Sequence, residues 1–137
     1  MNREQYSNFY AINAFDTQTI SSDTTTSGDI IDTAGYDSLL FAIQAGTITA
    51  GTITPVIEHG DDSALSDAAN VADADLYPTE ALAAFAATDD NVVKRIAYIG
   101  TKRYVRLKLT TASSANLVVG AIAILANALS KPIPVNT

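Results

Sequence analysis

A strict alternation of apolar and polar residues over residues 102–110 constrains the fold more than any other feature of the chain. Apolar side chains fall on one face of this segment and basic ones on the other, namely Val105, Leu107 and Leu109 against Lys102, Arg106 and Lys108. A two-residue period is typical of a β-strand with one buried face, because successive side chains point to opposite sides of a sheet. The segment therefore predicts a strand whose basic face points outward.

Further segments have the same character and are separated by turns rich in Gly, Asn, Asp, Ser and Thr. The predicted strands are residues 11–20, 29–33, 36–44, 51–58, 92–99, 102–110 and 117–126. Seven or eight short strands at this spacing favour an all-β, two-sheet antiparallel sandwich of jelly-roll or immunoglobulin-like type. Residues 77–87 are the one helix candidate, since Pro78 suits a first helical position and Leu82 and Phe85 would share a side; a strand pair is the alternative there.

A tandem repeat, AGTIT-AGTIT, occupies residues 45–54. Because five is an odd number, the two copies cannot continue one regular strand with the same residues on the same face. We expect the first copy to form a turn and the second to begin the next strand. Pro55 predicts an edge or bulged strand there, since proline cannot donate to a strand ladder.

The length fits one domain, which we place at residues 11–126. Residues 1–10 are predicted to form an N-terminal arm and residues 127–137 an extended C-terminal tail. We predict that both bind a partner, through Tyr6, Phe9 and Tyr10 in the arm and through Pro132 and Pro134 in the tail. The alternative for Phe9 and Tyr10 is that they simply begin the first strand.

Charge is segregated along the chain. Residues 1–93 hold all 15 acidic residues and one basic residue, Arg3, whereas residues 94–137 hold the seven other basic residues, for a net charge of −7. Such patterning bears on partners more than on fold. We predict a docking surface for an acidic protein partner, with a turn at residues 100–101 closing a hairpin, made of Lys94, Arg95, Lys102, Tyr104, Arg106 and Lys108. An ordinary solvated face is the alternative, and the net negative charge argues against nucleic acid.

Catalytic motifs are not found. The chain has one histidine and no cysteine, and His59 lies in a Gly-Asp-Asp turn without a nucleophile motif nearby. A cation site from Asp61, Asp62, Ser63 and Asp67 is conceivable, but its spacing matches no calcium loop. We therefore predict no enzyme, no metal and no cofactor.

The segment of residues 117–126 is apolar on both faces and is too short to span a bilayer, which takes about 20 residues. It must be covered within the sandwich or by another subunit. We predict a homo-oligomer whose interface contains Leu117, Val119, Ile122 and Ile124. No membrane partner is expected, and no signal peptide is recognisable at residues 1–10.

Three phrases of the chain carry a resemblance to a known family. They are YDSLLFAIQAGTITAGTITPVIEHGDDSALSDA, a short DADL before a threonine-glutamate pair, and IAYIGTKRYVRLKL followed by a small-residue apolar strand. Over residues 29–134 the chain resembles the capsid cement or decoration proteins of tailed bacteriophages. The resemblance implies a jelly-roll fold, a trimer, and a place on the outer capsid surface over junctions between subunits of the major capsid protein. It also implies assembly in the host bacterial cytoplasm and neither catalysis nor a cofactor.

Two other function classes stay open at this point. A neck, tail or baseplate component of a phage could use the same sandwich. A carbohydrate-binding module could use it as well, because jelly rolls host such sites. A sugar site would need exposed aromatic platforms, and without tryptophan the chain offers only tyrosines for that role outside the arm, namely Tyr36, Tyr77, Tyr98 and Tyr104.

Overall fold

The computed structural model describes residues 4–129, which form an all-β, antiparallel fold. Its strands are β1 (Phe9–Ile20), β2 (Thr25–Asp32), β3 (Tyr36–Gly60), β4 (Ala69–Asn70), β5 (Leu76–Tyr77), β6 (Val93–Tyr98) and β7 (Tyr104–Ala128). Within this range the only helical segment is a single 3₁₀ turn at Asp73–Asp75, and no helix could span a membrane. The predicted fold class is confirmed. Pro132 and Pro134 lie outside the described residues.

Strands β3 and β7 are 25 residues each and pair along their whole length, from Tyr36 opposite Ala128 to Gly60 opposite Tyr104. Half-sheet A consists of β1, residues 117–128 of β7, residues 36–48 of β3, and β6 with β5. Half-sheet B consists of β2, residues 104–112 of β7, residues 52–60 of β3, and β4. One hydrophobic cluster draws on both, so the two half-sheets share a core as the layers of a sandwich do.

The long strands pass from one half-sheet to the other through a bulge. Ala50 of β3 lies opposite Asn116 and Thr52 lies opposite Ala112, so residues 113–115 of β7 face Gly51 alone. Gly51 has a φ of +97°, and a side chain there would collide with the backbone of β7. The carboxylate of Asp23 accepts hydrogen bonds from two amides of the bulge. The turn that the sequence predicts over residues 111–116 is therefore a bulge within one strand.

Both copies of the AGTIT repeat lie in β3, so the expected turn in the first copy is wrong. Ile48 and Ile53 occupy equivalent places in the two copies, and both are buried. Two residues five positions apart would face opposite sides of a regular strand. Ile48 and Ile53 both face inward because the β3–β7 register shifts between them. Pro55 lies in half-sheet B, where β3 has a long neighbouring strand only on the β7 side, as expected for a proline.

Residues 77–87 form no helix. After β5 the chain makes consecutive turns over residues 79–84 and then pairs Phe85 with Ile53 through two backbone hydrogen bonds of 2.7 and 3.0 Å. The carboxylate of Glu80 accepts the amide of Ile57 at 2.7 Å. Phe85 is buried and Leu82 is 71% exposed, so the shared apolar face expected for a helix is absent. Pairing with the edge of β3 outweighs the weak local helix preference.

The alternating patterns predict the core correctly. Leu39, Phe41 and Ile43 of β3 are buried, as are Val105, Leu107 and Leu109 of β7. Complete burial of such a side chain contributes about 1.5–3 kcal/mol. Gly28 of β2 lies close against neighbouring backbone, since a Cβ atom there would lie 2.1 Å from the carbonyl oxygen of Ala14 and 2.8 Å from that of Leu107.

Candidate functional site

Two cations on the outward face of β7, Arg106 and Lys108, share one carboxylate of β3. Glu58 lies directly opposite Arg106 in the ladder, and its Oε1 accepts a hydrogen bond from Nε of Arg106 at 2.5 Å. The ammonium of Lys108 lies 3.2 Å from Oε2 of the same carboxylate, whose side chain is only 7% exposed. Burial alone would raise the pKa of Glu58, but hydrogen bonds and positive charge from Arg106 and Lys108 hold it below its ordinary value.

The neighbouring basic residues are paired in the same way. Nζ of Lys102 lies 2.7 Å from Oδ2 of Asp61, and this hydrogen bond and charge raise the pKa of Lys102. Arg103 binds Asp32 through two hydrogen bonds of 2.8 and 2.9 Å. Its guanidinium also lies 5.0 Å from the centre of the Tyr104 ring. The charges that are segregated along the sequence therefore compensate one another in the fold.

Lys94 and Arg95 do not lie beside these residues. Strand β6 pairs with β3 and β5, so the segment at residues 99–103 crosses between half-sheets and closes no β6–β7 hairpin. That predicted adjacency is wrong. Lys94 is 3.5 Å from Asp89, donates a hydrogen bond to the carbonyl oxygen of Ala84, and lies over the Phe85 ring. Arg95 is exposed and is the one basic side chain of residues 4–129 without an ion pair.

The two ends of the described chain lie at one end of half-sheet A. Phe9 begins β1 opposite Ala126 near the end of β7, and the amide of Leu129 bonds to the carbonyl of Gly35 at 2.8 Å. The exposed apolar side chains here are Tyr6 at 56%, Phe9 at 46% and Leu129 at 74%. Phe9 and Tyr10 belong to β1, and Tyr10 stacks on Tyr36 with ring centres 6.2 Å apart. The partner-binding role of these residues stays a prediction.

The predicted oligomer residues divide between two environments. Leu117 and Val119 are almost fully buried and belong to the core of this chain, so the structure corrects their assignment to an interface. Ile122 is 43% exposed and Ile124 is half-buried, and they point outward from half-sheet A. Leu40 and Ala42 of β3 lie beside them in register. Residues 36–44 carry Leu40 and Ala42 on the face opposite Leu39, Phe41 and Ile43, and this signal could have indicated an apolar patch on the outer face.

Residues 61–67 form an acidic loop whose carboxylates accept hydrogen bonds from the backbone amides of the same loop. Asp67 accepts the amides of Asp61 and Asp62 at 2.9 and 3.2 Å, and Asp62 accepts the amides of Ala64 and Ser66. These hydrogen bonds lower the pKa of Asp62 and of Asp67. Across residues 4–129, no three acidic or histidine side chains converge as metal ligands would.

His59 takes part in packing beside this loop. Its Nδ1 lies 2.8 Å from the hydroxyl of Tyr98, and the two rings meet edge to face with centres 5.6 Å apart. The Tyr98 hydroxyl also accepts the amide of Lys102 at 3.0 Å. Tyr98 is only 6% exposed, so it offers no platform for a sugar ring, whereas Tyr77 is 76% exposed.

Comparison with known proteins shows a shared fold. No protein-family model matches the chain, and no curated protein matches it in sequence. The crystal structure of the SPBc2 prophage-derived protein YomS superposes with a TM-score of 0.52 at 11% identity, covering 88% of this chain and 94% of that one. The PBSX exported protein XepA gives a TM-score of 0.48 at 17% identity, and the chain spans 40% of its length.

Proposed function

We propose that this protein is a structural component of a tailed-bacteriophage particle and that it binds the outside of the assembled capsid as a cement or decoration protein. Its partner is the major capsid protein, and it stabilises the shell without catalysing a reaction. The protein is made and folds in the host cytoplasm and then resides on the virion.

The position of the two ends of the described range, near Phe9 and at Leu129, carries this proposal. Phe9 and Leu129 are exposed apolar side chains at one end of half-sheet A, and Tyr6, which is 56% exposed, lies three residues before Phe9 in the chain. Large apolar side chains that are exposed close together are a common mark of a protein interface. Two segments that leave from one end can both contact the same neighbouring surface, and each adds contact area to the attachment.

Two further arguments support the proposal. The phrases of the sequence over residues 29–134 resemble capsid cement and decoration proteins, and that resemblance implies this role. The fold is shared with YomS, a prophage-derived protein, over most of both chains. Many copies on one shell would also convert weak individual contacts into firm attachment.

The ion pairs of β7 change which surface we assign to attachment. Lys102, Arg106 and Lys108 already have carboxylate partners within the chain. A capsid carboxylate would have to compete with Glu58 and Asp61 for these side chains, which weakens any contact that they make with a partner. We therefore assign attachment to the arm and tail, and to the basic strand only a secondary role.

Rebinding to stripped particles tests the proposal. Purified protein is added to phage particles that lack it, and its position is determined by cryo-electron microscopy. We expect density on the outer face of the head and greater survival of the particles after heating or osmotic shock. Density at the neck, tail or baseplate would instead support that alternative location, and binding to a glycan array but not to particles would support a carbohydrate-binding module.

A variant with Tyr6→Ser and Phe9→Ser examines the arm directly. We expect it to fold normally and to rebind at least about tenfold more weakly, because a few exposed aromatic anchors supply most of the energy of an interface. Leu82→Ser is the control, since Leu82 is apolar and, at 71%, more exposed than either aromatic residue, but lies outside the arm. Equal rebinding of the arm variant and the control would show that the arm is not the attachment site.

A further inference from the structure

The outer face of half-sheet A has an apolar patch that none of residues 4–129 covers, and the polar residues Asn13 and Gln44 border it. We call it the apolar face, and it consists of Leu40, Ala42, Val93, Arg95, Ile122 and Ile124. Val93 is 54% exposed and Ile122 is 43% exposed. A groove of about 410 Å³ runs along it over the small residues Ala42, Gly46 and Gly120. Large projecting side chains thus alternate with shallow positions that could receive them.

Charges on and beside the apolar face are complementary. The chain has 15 acidic residues, and the apolar face has none of them. It carries Arg95 on β6, which has no ion pair within residues 4–129. On the opposite margin, the side-chain amide of Asn13 in β1 donates to the carboxylates of Asp16 and Asp29 at 2.7 and 2.9 Å. Arg95, a cation without a salt-bridge partner, and the two exposed carboxylates therefore lie at opposite lateral edges of half-sheet A.

The strand register places these groups in one row across the sheet. Asn13 lies opposite Ile122, Ile122 opposite Ala42, and Ala42 opposite Arg95. A two-fold axis parallel to the strands, between β7 and β3, reverses the order of this row in a second copy packed face to face. Arg95 of each copy then lies over Asn13 of the other, near its two carboxylates, and Ile122 of each copy lies over the small residue Ala42.

We propose that the apolar face binds the apolar face of a second copy of this chain, forming a two-fold dimer that is held by apolar contacts and by two symmetric Arg95–carboxylate contacts. Stacked sheets pack about 10 Å apart with their strands within about 30° of each other, which allows this arrangement. A two-fold interface uses the same patch on both copies, so large side chains must meet small ones across it. The dimer replaces the trimer that the resemblance implies, and it does not depend on attachment to a capsid.

The mass of the full chain in solution tests the pairing. Sedimentation equilibrium should give twice the chain mass at micromolar concentration. Ile122→Ser should raise the dissociation constant about tenfold or more, because Ile122 lies at the centre of the contact. Leu82→Ser, which removes an exposed apolar side chain elsewhere, should leave it unchanged. A monomeric or trimeric wild-type chain, or equal behaviour of the two variants, would overturn the proposal.

A charge exchange tests the two-fold geometry itself. Arg95→Glu places like charges across both contacts of a homodimer, and so does the combination Asp16→Lys with Asp29→Lys. Each variant alone should be monomeric at concentrations where the wild type is dimeric, with an unchanged circular dichroism spectrum. When the two variants are mixed, both contacts become attractive and a heterodimer should form. If the mixture stays monomeric while both variants remain folded, Arg95 does not face these carboxylates and the proposed axis is wrong.

Discussion

Glu58 and Arg106 lie directly opposite each other in the β3–β7 ladder, with the nearly buried carboxylate of Glu58 accepting a hydrogen bond from Nε of Arg106. This contact joins residues that are 48 positions apart in the chain. It also joins the acidic part of the sequence to the basic part, so the two central strands are held together by charge as well as by their backbone hydrogen bonds. Several expected outcomes depend on this pair and on similar contacts.

Removal of Arg106 should destabilise the fold. In Arg106→Ser the carboxylate of Glu58 keeps only Lys108 as an ionic partner, and the free energy of unfolding at pH 7 should fall by about 2–4 kcal/mol, since breaking a buried pair leaves a poorly compensated charge. Urea denaturation measures this loss. Lys102→Ser is the control, because it breaks an exposed ion pair and should change stability little. Equal effects of both changes would show that Glu58 is effectively solvated.

The same carboxylate should make stability depend on pH in the acid range. The pKa of Glu58 in the folded protein is below its ordinary value of 4.5. Its contribution is therefore complete above that value and is lost as the pH falls through the lower folded pKa. The difference in unfolding free energy between the wild type and Glu58→Gln should shrink as the pH is lowered below 4.5. A difference that stays constant over this range would contradict the assignment.

Glu80 should have the opposite effect. Burial raises the pKa of Glu80, and this outweighs the hydrogen bond from the Ile57 amide, which lowers it. The folded state therefore favours the protonated acid, and stability is lost as the pH rises from the unfolded pKa through the higher folded pKa. Glu80→Gln keeps an oxygen acceptor for Ile57 without the charge, so its melting temperature at pH 7 should exceed that of the wild type. A lower melting temperature would show that the hydrogen bond from the Ile57 amide requires a charged carboxylate as its acceptor.

Gly28 should not tolerate a side chain. In Gly28→Ala the new methyl group would press on the carbonyl oxygens of Ala14 and Leu107, which belong to the backbone and cannot move easily. The expected loss is about 2–3 kcal/mol, typical of overpacking. Gly35→Ala is the comparison, because no atom lies within 4 Å of a Cβ there and only its φ of +88° opposes the change. Thermal denaturation should rank Gly28→Ala as the more damaging of the two.

The hydroxyl of Tyr98 should contribute to stability. Tyr98→Phe removes the hydroxyl that accepts the amide of Lys102. It also removes the hydrogen bond between that hydroxyl and Nδ1 of His59. Loss of such buried hydrogen bonds costs about 1–2 kcal/mol. Tyr77→Phe changes the same group on a tyrosine that is 76% exposed and should be nearly neutral. Chemical denaturation of both variants decides whether the His59–Tyr98 contact matters.

Local patterns in the sequence determined the fold class and much of the core. The alternation of Val105, Leu107 and Leu109 correctly predicts their burial, and the two-residue spacing of Leu39, Phe41 and Ile43 puts these three on one face, which the structure buries. These predictions succeed because the two-residue period of a strand is a local property that each segment carries by itself. The apolar character of both sides of residues 117–126 was also visible in the sequence, although not which side the chain covers.

Only the tertiary structure decided how the segments join and which charges meet. Gly51 and the bulge at residues 113–115 turn four expected strands into two long ones, because bulge geometry depends on the partner strand. The pairing of Glu58 with Arg106 and the separation of Arg95 from Lys102 follow from which strands are neighbours. Strand order is a non-local property, and no short stretch of sequence encodes it. For that reason the sequence predicted the outward basic strand but not its carboxylate partners Glu58 and Asp61, nor the place of Arg95 on the uncovered apolar face.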